Sequence, residues 1–454
     1  MPFAPQPAAY RPASAILDLG EEFYDPVVAA DFPETRLRFR NQRWADRVGL
    51  SELDDAAWVQ HFGRFEPLPR SLQQPLALRY HGHQFRVYNR DIGDGRGFLF
   101  AQLHDDRGRL LDLGTKGSGQ TPYSRFGDGR LTLKGGVREI LATEMLEALG
   151  VETSKSFSLI ETGEALDRND ELSPTRSAVL VRLSHGHIRI GTFQRLAYLD
   201  DVEGLKRLTD YALRHYYGDT SGDPVRLLDL VVGTTARLAA QFMAAGFVHG
   251  VLNSDNINVS GESFDYGPWR FVPVWDPGFT AAYFDHGGLY AFGRQPEAIH
   301  WDVMQLAVAL RVIVDAQPVI DVLETFGDRY QPAVTGAMLW RLGVSPRGDS
   351  DIGVIQAIER GLRASATPLA DFFHASFGGH IPDTLGDAFA EARAALAEYR
   401  PRKPRDEPFW SGPPCAMLID EVEAIWAAIA DADDWAPFEA KVAAIREFGA
   451  ALAD

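Results

Sequence analysis

Two oxygen donors near the middle of the chain, Asn256 and Asp265, are of the kind that hold Mg²⁺ when it also grips substrate phosphates. They follow the run Phe247-Val248-His249-Gly250-Val251-Leu252-Asn253-Ser254-Asp255, so the carboxylate of Asp255 stands directly before Asn256. Upstream, Lys116 ends the strand-like run Leu113-Gly114-Thr115-Lys116, and Glu139 lies near the start of a helical segment. A lysine held by a glutamate presents a fixed positive charge to phosphate. Further upstream, Gly93-Asp94-Gly95-Arg96-Gly97 sits between two apolar runs. Glycines let a backbone approach phosphate closely, and successive N–H groups form an anion-binding concavity. The plainer reading of that stretch is a hairpin turn with Asp94 at solvent. Together these residues suit transfer of a phosphate-containing group, which depends mostly on positioning and charge neutralisation.

The order of these parts is that of a protein kinase. A kinase catalytic loop reads H-R-D-x-x-x-x-N and is followed by D-F-G. His249 and Asn256 keep the first spacing, and Asp265-Tyr266-Gly267 stands in the second place. Val251 occupies the position of the catalytic Asp. A valine cannot take a proton from a hydroxyl, so ordinary kinase chemistry is disfavoured, and His249 is expected to order the loop. The elements that must position the site follow the same order. Val137, Ile140, Leu141, Met145, Leu146 and Leu149 fall on one face of a helix predicted over 133–149, which carries Glu139. The expected fold class is α+β: a protein-kinase-like bilobal fold, with a strand-rich N-lobe, a helical C-lobe and extensions at both ends.

The chain resembles the selenoprotein O family, kinase-like proteins that transfer AMP to other proteins. The resemblance is carried by Lys116-Gly117-Ser118-Gly119-Gln120-Thr121-Pro122-Tyr123-Ser124-Arg125-Phe126-Gly127-Asp128-Gly129-Arg130 and by Arg138-Glu139. It continues in His249-Gly250-Val251 with Asn253, Asp255 and Asn256, in Asp265-Tyr266-Gly267-Pro268, and in Gly82-His83-Gln84-Phe85 with Gly93–Gly97. It covers roughly residues 30–315. The resemblance implies an ATP turned end for end relative to a kinase, with AMP passing to a Ser, Thr or Tyr hydroxyl and pyrophosphate leaving. It implies that Lys116 binds phosphate and that Glu139 holds Lys116. It implies nucleotide contacts at Gly93, Gly95, Arg96, Asp128, Gly129, Arg182, Arg189 and Asp265. Asn256 and Asp265 would hold Mg²⁺ or Mn²⁺, and Asp255 would be the proton acceptor. The sequence departs from better-known members, which carry a selenocysteine or cysteine near the C-terminus. Residues 448–454 contain neither, and the single cysteine is Cys415. One cysteine cannot form an intrachain disulfide.

Composition narrows the partners. The 454 residues allow two lobes with sizeable cores, and 45% are hydrophobic. A net charge of −18 argues against nucleic acid as the main partner, because phosphate backbones need a basic surface. The phosphate site must then be a local positive pocket. The expected partners are ATP and protein substrates with hydroxyl side chains. No apolar run reads as membrane-spanning, and a single cysteine fits a reducing compartment. The expected location is the cytoplasm, or the mitochondrion in a eukaryote, since no acidic residue precedes Asp18.

Along the chain, residues 1–75 read as an irregular N-terminal extension anchored by Phe39, Trp44 and Val48. Residues 76–198 read as the N-lobe with the nucleotide loop, 199–400 as the C-lobe, and 401–454 as a linker and two helices. Helices are predicted over 225–245 and 297–314, the second with Trp301, Met304, Leu306, Ala309 and Leu310 inward. The paired histidines His81/His83 and His185/His187 suit hydrogen bonding better than zinc, which wants Cys or more closely organised His. Two other functions stay open: a catalytically inactive nucleotide-binding scaffold, and a phosphotransferase acting on small molecules or proteins.

Overall fold

The computed structural model describes residues 8–169 and 171–453. The first lobe contains strands β1 (Pro12–Ala13), β2 (Tyr24–Pro26), β3 (Arg36–Arg40), β4 (Leu76–Leu78), β5 (Gly82–Gln84), β6 (Val87–Asn89), β7 (Leu99–His104), β8 (Leu110–Lys116), β9 (Leu131–Thr132), β10 (Lys155–Leu166) and β11 (Thr175–Ser184). Among the described residues, one antiparallel sheet runs β2-β4-β7-β8-β11-β10-β3, with β1 added to β7 and β9 to β11. Strands β5 and β6 form a separate hairpin. The N-terminal segment read as irregular therefore supplies three strands to this sheet. It also supplies two short helices, α1 (Gln42–Val48) and α2 (Asp55–Phe62). Phe39, Trp44 and Val48 are buried, and Trp58 and Phe62 pack fully buried against Phe157.

Helix α3 (Leu133–Ala148) starts where the side chain of Thr132 accepts from Gly135 N. It lies on the sheet through Val137, Ile140, Leu141 and Met145, all buried. The register of the two central strands pairs Gly114 with Arg182 and Lys116 with Leu180. Side chains alternate along a strand and paired residues share a face, so Lys116 and Arg182 project to the same side.

The second lobe is helical: α4 (Ile190–Tyr198), α5 (Val202–Tyr217), α6 (Pro224–Ala245), α7 (Gln295–Leu310), α8 (Ala316–Glu324), α9 (Phe326–Arg341), α10 (Asp351–Ser365), α11 (Leu369–Ser376) and α12 (Ala390–Leu396). Asp223 caps α6 at its start, and Gly246 ends it in the left-handed region at φ 68°. Helix α6 packs against α7, α8 and α9. It corrects one expectation: by length and composition it could cross a membrane, yet 67% of that window is buried inside the protein. After α6, the two-stranded ribbon β12 (Phe247–Val248) and β13 (Arg270–Phe271) closes the loops that carry Asp255, Asn256 and Asp265.

Helix α7 ends at Leu310, and Trp301 and Met304, read as inward, are only half-buried. Trp301 faces the β5–β6 hairpin, where His83 packs edge-on and the Arg86 guanidinium lies over its ring. Residues 401–414 are pinned to the body: Trp410 is buried and stacks on Phe377 with ring centroids 3.8 Å apart. The last helices, α13 (Ile419–Ala432) and α14 (Ala436–Leu452), return to the first lobe. Arg446 of α14 pairs with Glu144 of α3 at 2.8 Å, and Lys134 of α3 pairs with Glu423 of α13 at 2.7 Å.

Candidate active site

A cavity of about 790 Å³ lies between the lobes. Its lining includes Gly93, Gly95, Arg96, Lys116, Asp128, Gly129, Arg182, Arg189, Asp255, Asn256 and Asp265. Glu139 stands behind it and accepts a hydrogen bond from the Lys116 ammonium through Oε1. Both partners are buried, Lys116 at 5% exposure and Glu139 at 1%. The sheet presents the lysine, and the buried face of α3 presents the glutamate.

Asp265 is the carboxylate around which the positive charges of the site gather. Arg182 donates to its Oδ1, Lys116 Nζ lies 3.5 Å from the same oxygen, and Arg189 Nη1 lies 3.3 Å from Oδ2. Burial alone would raise its pKa. Arg182, Lys116 and Arg189 outweigh burial and hold the carboxyl well below the usual range. Its φ of 64° lies in the left-handed region, which costs a non-glycine residue of order 1 kcal/mol. The cations hold it there.

Asp255 sits on the short turn Ser254–Asn256 and is 7% exposed. Burial pushes its carboxyl up to about 6, partly opposed by Arg189. Oδ2 accepts weakly from Gln84 Nε2 at 3.4 Å, and Oδ1 has no partner among the described residues. A Cβ on Gly82 would lie 2.9 Å from the Asp255 Cβ, so only glycine lets the β5–β6 hairpin close on this turn. The hairpin is stitched to the turn by His83 N to Ser254 Oγ (2.7 Å) and Phe85 N to Asn253 Oδ1 (2.9 Å).

His249 is buried, and burial lowers its pKa, so the ring is neutral. Nε2 donates to Phe264 O at 3.0 Å, and Val251 N donates to Nδ1 at 3.4 Å. The ring thus ties the 249–251 backbone to the loop that leads to Asp265. Asn256 Nδ2 donates to Val251 O at 3.0 Å, which fixes the amide and leaves its carbonyl oxygen uncommitted among the described residues. That oxygen and the Asp265 carboxylate are hard donors lining one cavity, and they fit a divalent cation.

The glycine loop has a different neighbour from the one a plain hairpin would give it. A Cβ on Gly93 would lie 2.5 Å from the Tyr123 ring. Ser124 Oγ donates to Gly95 O and Thr121 Oγ1 to Asp94 O, so the 121–130 segment is laced onto the glycine loop. Asp94 is not at solvent: Oδ1 accepts from Arg189 Nη2 at 3.1 Å and Oδ2 from Leu78 N at 3.0 Å. Asp128 pairs with Arg168 at 2.9 Å. Arg96 and Arg125 line the cavity, and neither has an ion pair among the described residues. Free guanidinium groups beside Lys116, Arg182 and Arg189 suit a polyphosphate. The paired histidines do not form a metal cluster among the described residues.

Two residues escaped sequence reasoning, and a third, Arg138, was named there without a role. Gln295 of α7 holds the 247–249 backbone, accepting from His249 N at 3.0 Å and donating to Phe247 O at 2.7 Å. Asp302 lies two turns on, fully buried, with no partner for either oxygen among the described residues; burial, then Asp255, push its pKa well up. A polar pair on one face of an apolar helix was the available signal. Arg138 precedes Glu139 and donates to Trp269 O at 3.2 Å and Gly267 O at 3.4 Å, joining α3 to the Asp265 loop.

A sheet-borne lysine, a helix-borne glutamate, and the Asp255 and Asp265 loops under a helical lobe define a kinase-like fold. Val251 in place of the kinase base sets the site apart from that of an ordinary kinase. The family model described as "Protein adenylyltransferase SelO" matches residues 8–378. The "Protein nucleotidyltransferase YdiU" of Synechocystis sp. is 42% identical over 94% of this chain and 96% of its own. That of Gloeobacter violaceus is 42% identical over 96% and 95%, and that of Vibrio cholerae 37% over 73% and 68%. ROP2 from Toxoplasma gondii, a virulence factor with a protein-kinase fold and no enzymatic activity, is 14% identical with a TM-score of 0.28, over 57% of this chain and 75% of that one; an overlap this low carries no weight. The chain belongs to the SelO family of protein adenylyltransferases, and it is a nucleotidyltransferase.

Proposed function

We propose that this protein transfers AMP from ATP to Ser, Thr or Tyr hydroxyls of other proteins. The observation that carries the reading is the position of Asp255: a buried carboxylate among the cavity-lining residues, with one oxygen unpartnered among the described residues, while Val251 stands where a kinase has its base. The triphosphate carries about four negative charges. Lys116, Arg182, Arg189 and the unpaired Arg96 and Arg125 offset them. Gly93 and Gly95 bring backbone close to the nucleotide, and Asp128 and Gly129 border its nucleoside end. The nucleotide lies so that its α-phosphate faces Asp255.

In the transfer step the acceptor O–H proton passes to Asp255. The hydroxyl oxygen forms a bond to the α-phosphorus, the bond from that phosphorus to the β-bridging oxygen breaks, and pyrophosphate leaves. Glu139 keeps Lys116 aimed at phosphate, and the arginines hold the leaving charge. Asn256 and Asp265 would hold Mg²⁺ or Mn²⁺, which when bound would neutralise phosphate charge and align the α-phosphate for attack.

The test is mass spectrometry of lysate proteins after incubation with the protein, ATP and divalent cation. AMP adducts on hydroxyl side chains, absent with Asp255→Asn, support the reading. Phosphate adducts would replace it with phosphotransfer. Nucleotide binding without any adduct would replace it with a scaffold.

A further inference from the structure

His187 lines the nucleotide cavity, and the transfer step described above does not use it. It is 5% exposed, and its Nε2 is buried without a partner among the described residues. Nδ1 faces Asp112 Oδ2 at 3.3 Å. Asp112 is buried too, and its other oxygen accepts from Gln102 Nε2 at 2.7 Å. A carboxylate against one ring nitrogen orients the ring and stabilises the imidazolium, whose second nitrogen is then a donor.

Strand β8 explains why the ring stands there. Its pairing with β11 runs without a shift from Lys116 opposite Leu180 to Asp112 opposite Ser184. Asp112, Gly114 and Lys116 therefore share one face, with Arg182 beside Gly114. A Cβ on Gly114 would lie 2.4 Å from His187 Nε2, so the missing side chain makes room for the ring. The buried Phe264 ring gathers the cationic groups around the same place. His187 packs edge-on to it with centroids 6.1 Å apart, and the guanidinium carbons of Arg182 and Arg189 lie 5.3 and 4.7 Å from its centroid. Nε of Arg182 and Nε of Arg189 are also buried without partners among the described residues. Buried polar atoms are normally satisfied. Three unsatisfied nitrogens on cavity-lining residues around one aromatic ring suit the oxygens of an anion.

We propose that His187 is a contact for the terminal phosphate of the nucleotide: Nε2–H donates to a γ-phosphate oxygen, and the contact selects a triphosphate over a diphosphate. This role rests on the adenylyl-transfer reading, in which Asp128 and Gly129 border the nucleoside end and the cationic groups hold the phosphates. When the bond between the α-phosphorus and the β-bridging oxygen breaks, the same hydrogen bond stays with the departing pyrophosphate and offsets its charge. Asp112 is a positioning residue that acts through the His187 ring.

The experiment measures binding of α,β-methylene-ATP, ADP, AMP and pyrophosphate to the full chain by calorimetry with divalent cation, beside α-label transfer from ATP. His187→Phe keeps a ring and removes both nitrogens. It should weaken α,β-methylene-ATP and pyrophosphate about 10–100-fold and leave ADP and AMP within about threefold. His187→Gln keeps a neutral donor of similar reach, so its losses should fall between those of the wild type and His187→Phe; it carries the test if His187→Phe does not fold. Equal losses for all four ligands would make His187 a structural residue, and no loss for any would put it outside the site. Either result overturns its role and leaves α-transfer by the wild type standing. A loss confined to ADP and AMP would place the nucleoside at His187 and overturn both the role and the nucleotide orientation beneath it. A wild type that transfers no α-label, while its pyrophosphate binding still depends on His187, would overturn the adenylyl-transfer reading and support the phosphate contact.

Discussion

Glu139→Gln tests how Lys116 is shared between Glu139 and Asp265 most sharply, because it removes a charge and keeps the shape. Lys116 and Glu139 are both buried. Removing one partner of a buried ion pair costs about 3–5 kcal/mol. Here Asp265 Oδ1 remains 3.5 Å from Nζ. It offsets part of the loss, so the expected destabilisation is roughly 2–3 kcal/mol. The larger effect is on function. Without Glu139, Lys116 turns wholly toward Asp265, so the groups proposed to hold phosphate and metal occupy each other. The expected result is a fall in kcat of about 10²–10³-fold, the size of losing one preorganised electrostatic group. The metal concentration needed for half-maximal rate should rise as well. Initial rates of α-label transfer from ATP, measured across a metal titration and beside a melting curve, provide the check. A variant within about threefold of wild type at every metal concentration would refute the reasoning and leave the pair as a structural contact only.

Further outcomes rest on the same geometry. Arg138→Leu removes the donors to Gly267 O and Trp269 O; kcat should fall about tenfold with nucleotide affinity nearly unchanged, as stopped-flow binding and steady-state rates would show. The rate should drop as pH falls through about 6, since Asp255 must be ionised to take the proton. Its folded pKa lies above the unfolded value of 3.8, so stability of the metal-free protein falls as pH rises from about 4 through about 6. Asp255→Asn should therefore be inactive yet about 1–3 kcal/mol more stable at pH 7 in chemical denaturation. Trp58 is fully buried and donates to Ser158 Oγ at 2.9 Å; Trp58→Ala should cost about 3–5 kcal/mol in the same assay.

The parts of the site that were legible in the sequence are those fixed by short spacing. His249, Asp255, Asn256 and Asp265 lie on one ribbon and its two loops, so their proximity follows from local chain length. Lys116 at a strand end and Glu139 on an amphipathic helix were legible from periodicity. What was not legible depends on distant partners. Asp94 looked like a turn residue because its partner, Arg189, is 95 positions away. Trp301 looked like core because helical spacing cannot tell an apolar neighbour from the β5–β6 hairpin that covers it. The N-terminal 75 residues looked irregular because β1 and β2 are too short to alternate, and β3, Arg-Leu-Arg-Phe-Arg, joins the sheet only through its pairing with β10. Arg341, at the end of α9, gave no sign at all: an arginine at a helix end is ordinarily solvated, yet this one is buried against the Phe373 ring of α11 and donates to Ala244 O of α6.

The central claim is that the α-phosphorus of ATP, not the γ-phosphorus, is the one attacked. ATP labelled separately at the two positions, incubated with the protein, divalent cation and acceptor proteins, tests it directly. The account predicts protein-bound label from the α position only, abolished by Asp265→Ala. Label arriving from the γ position, or α-label transfer that survives Asp265→Ala undiminished, would contradict it.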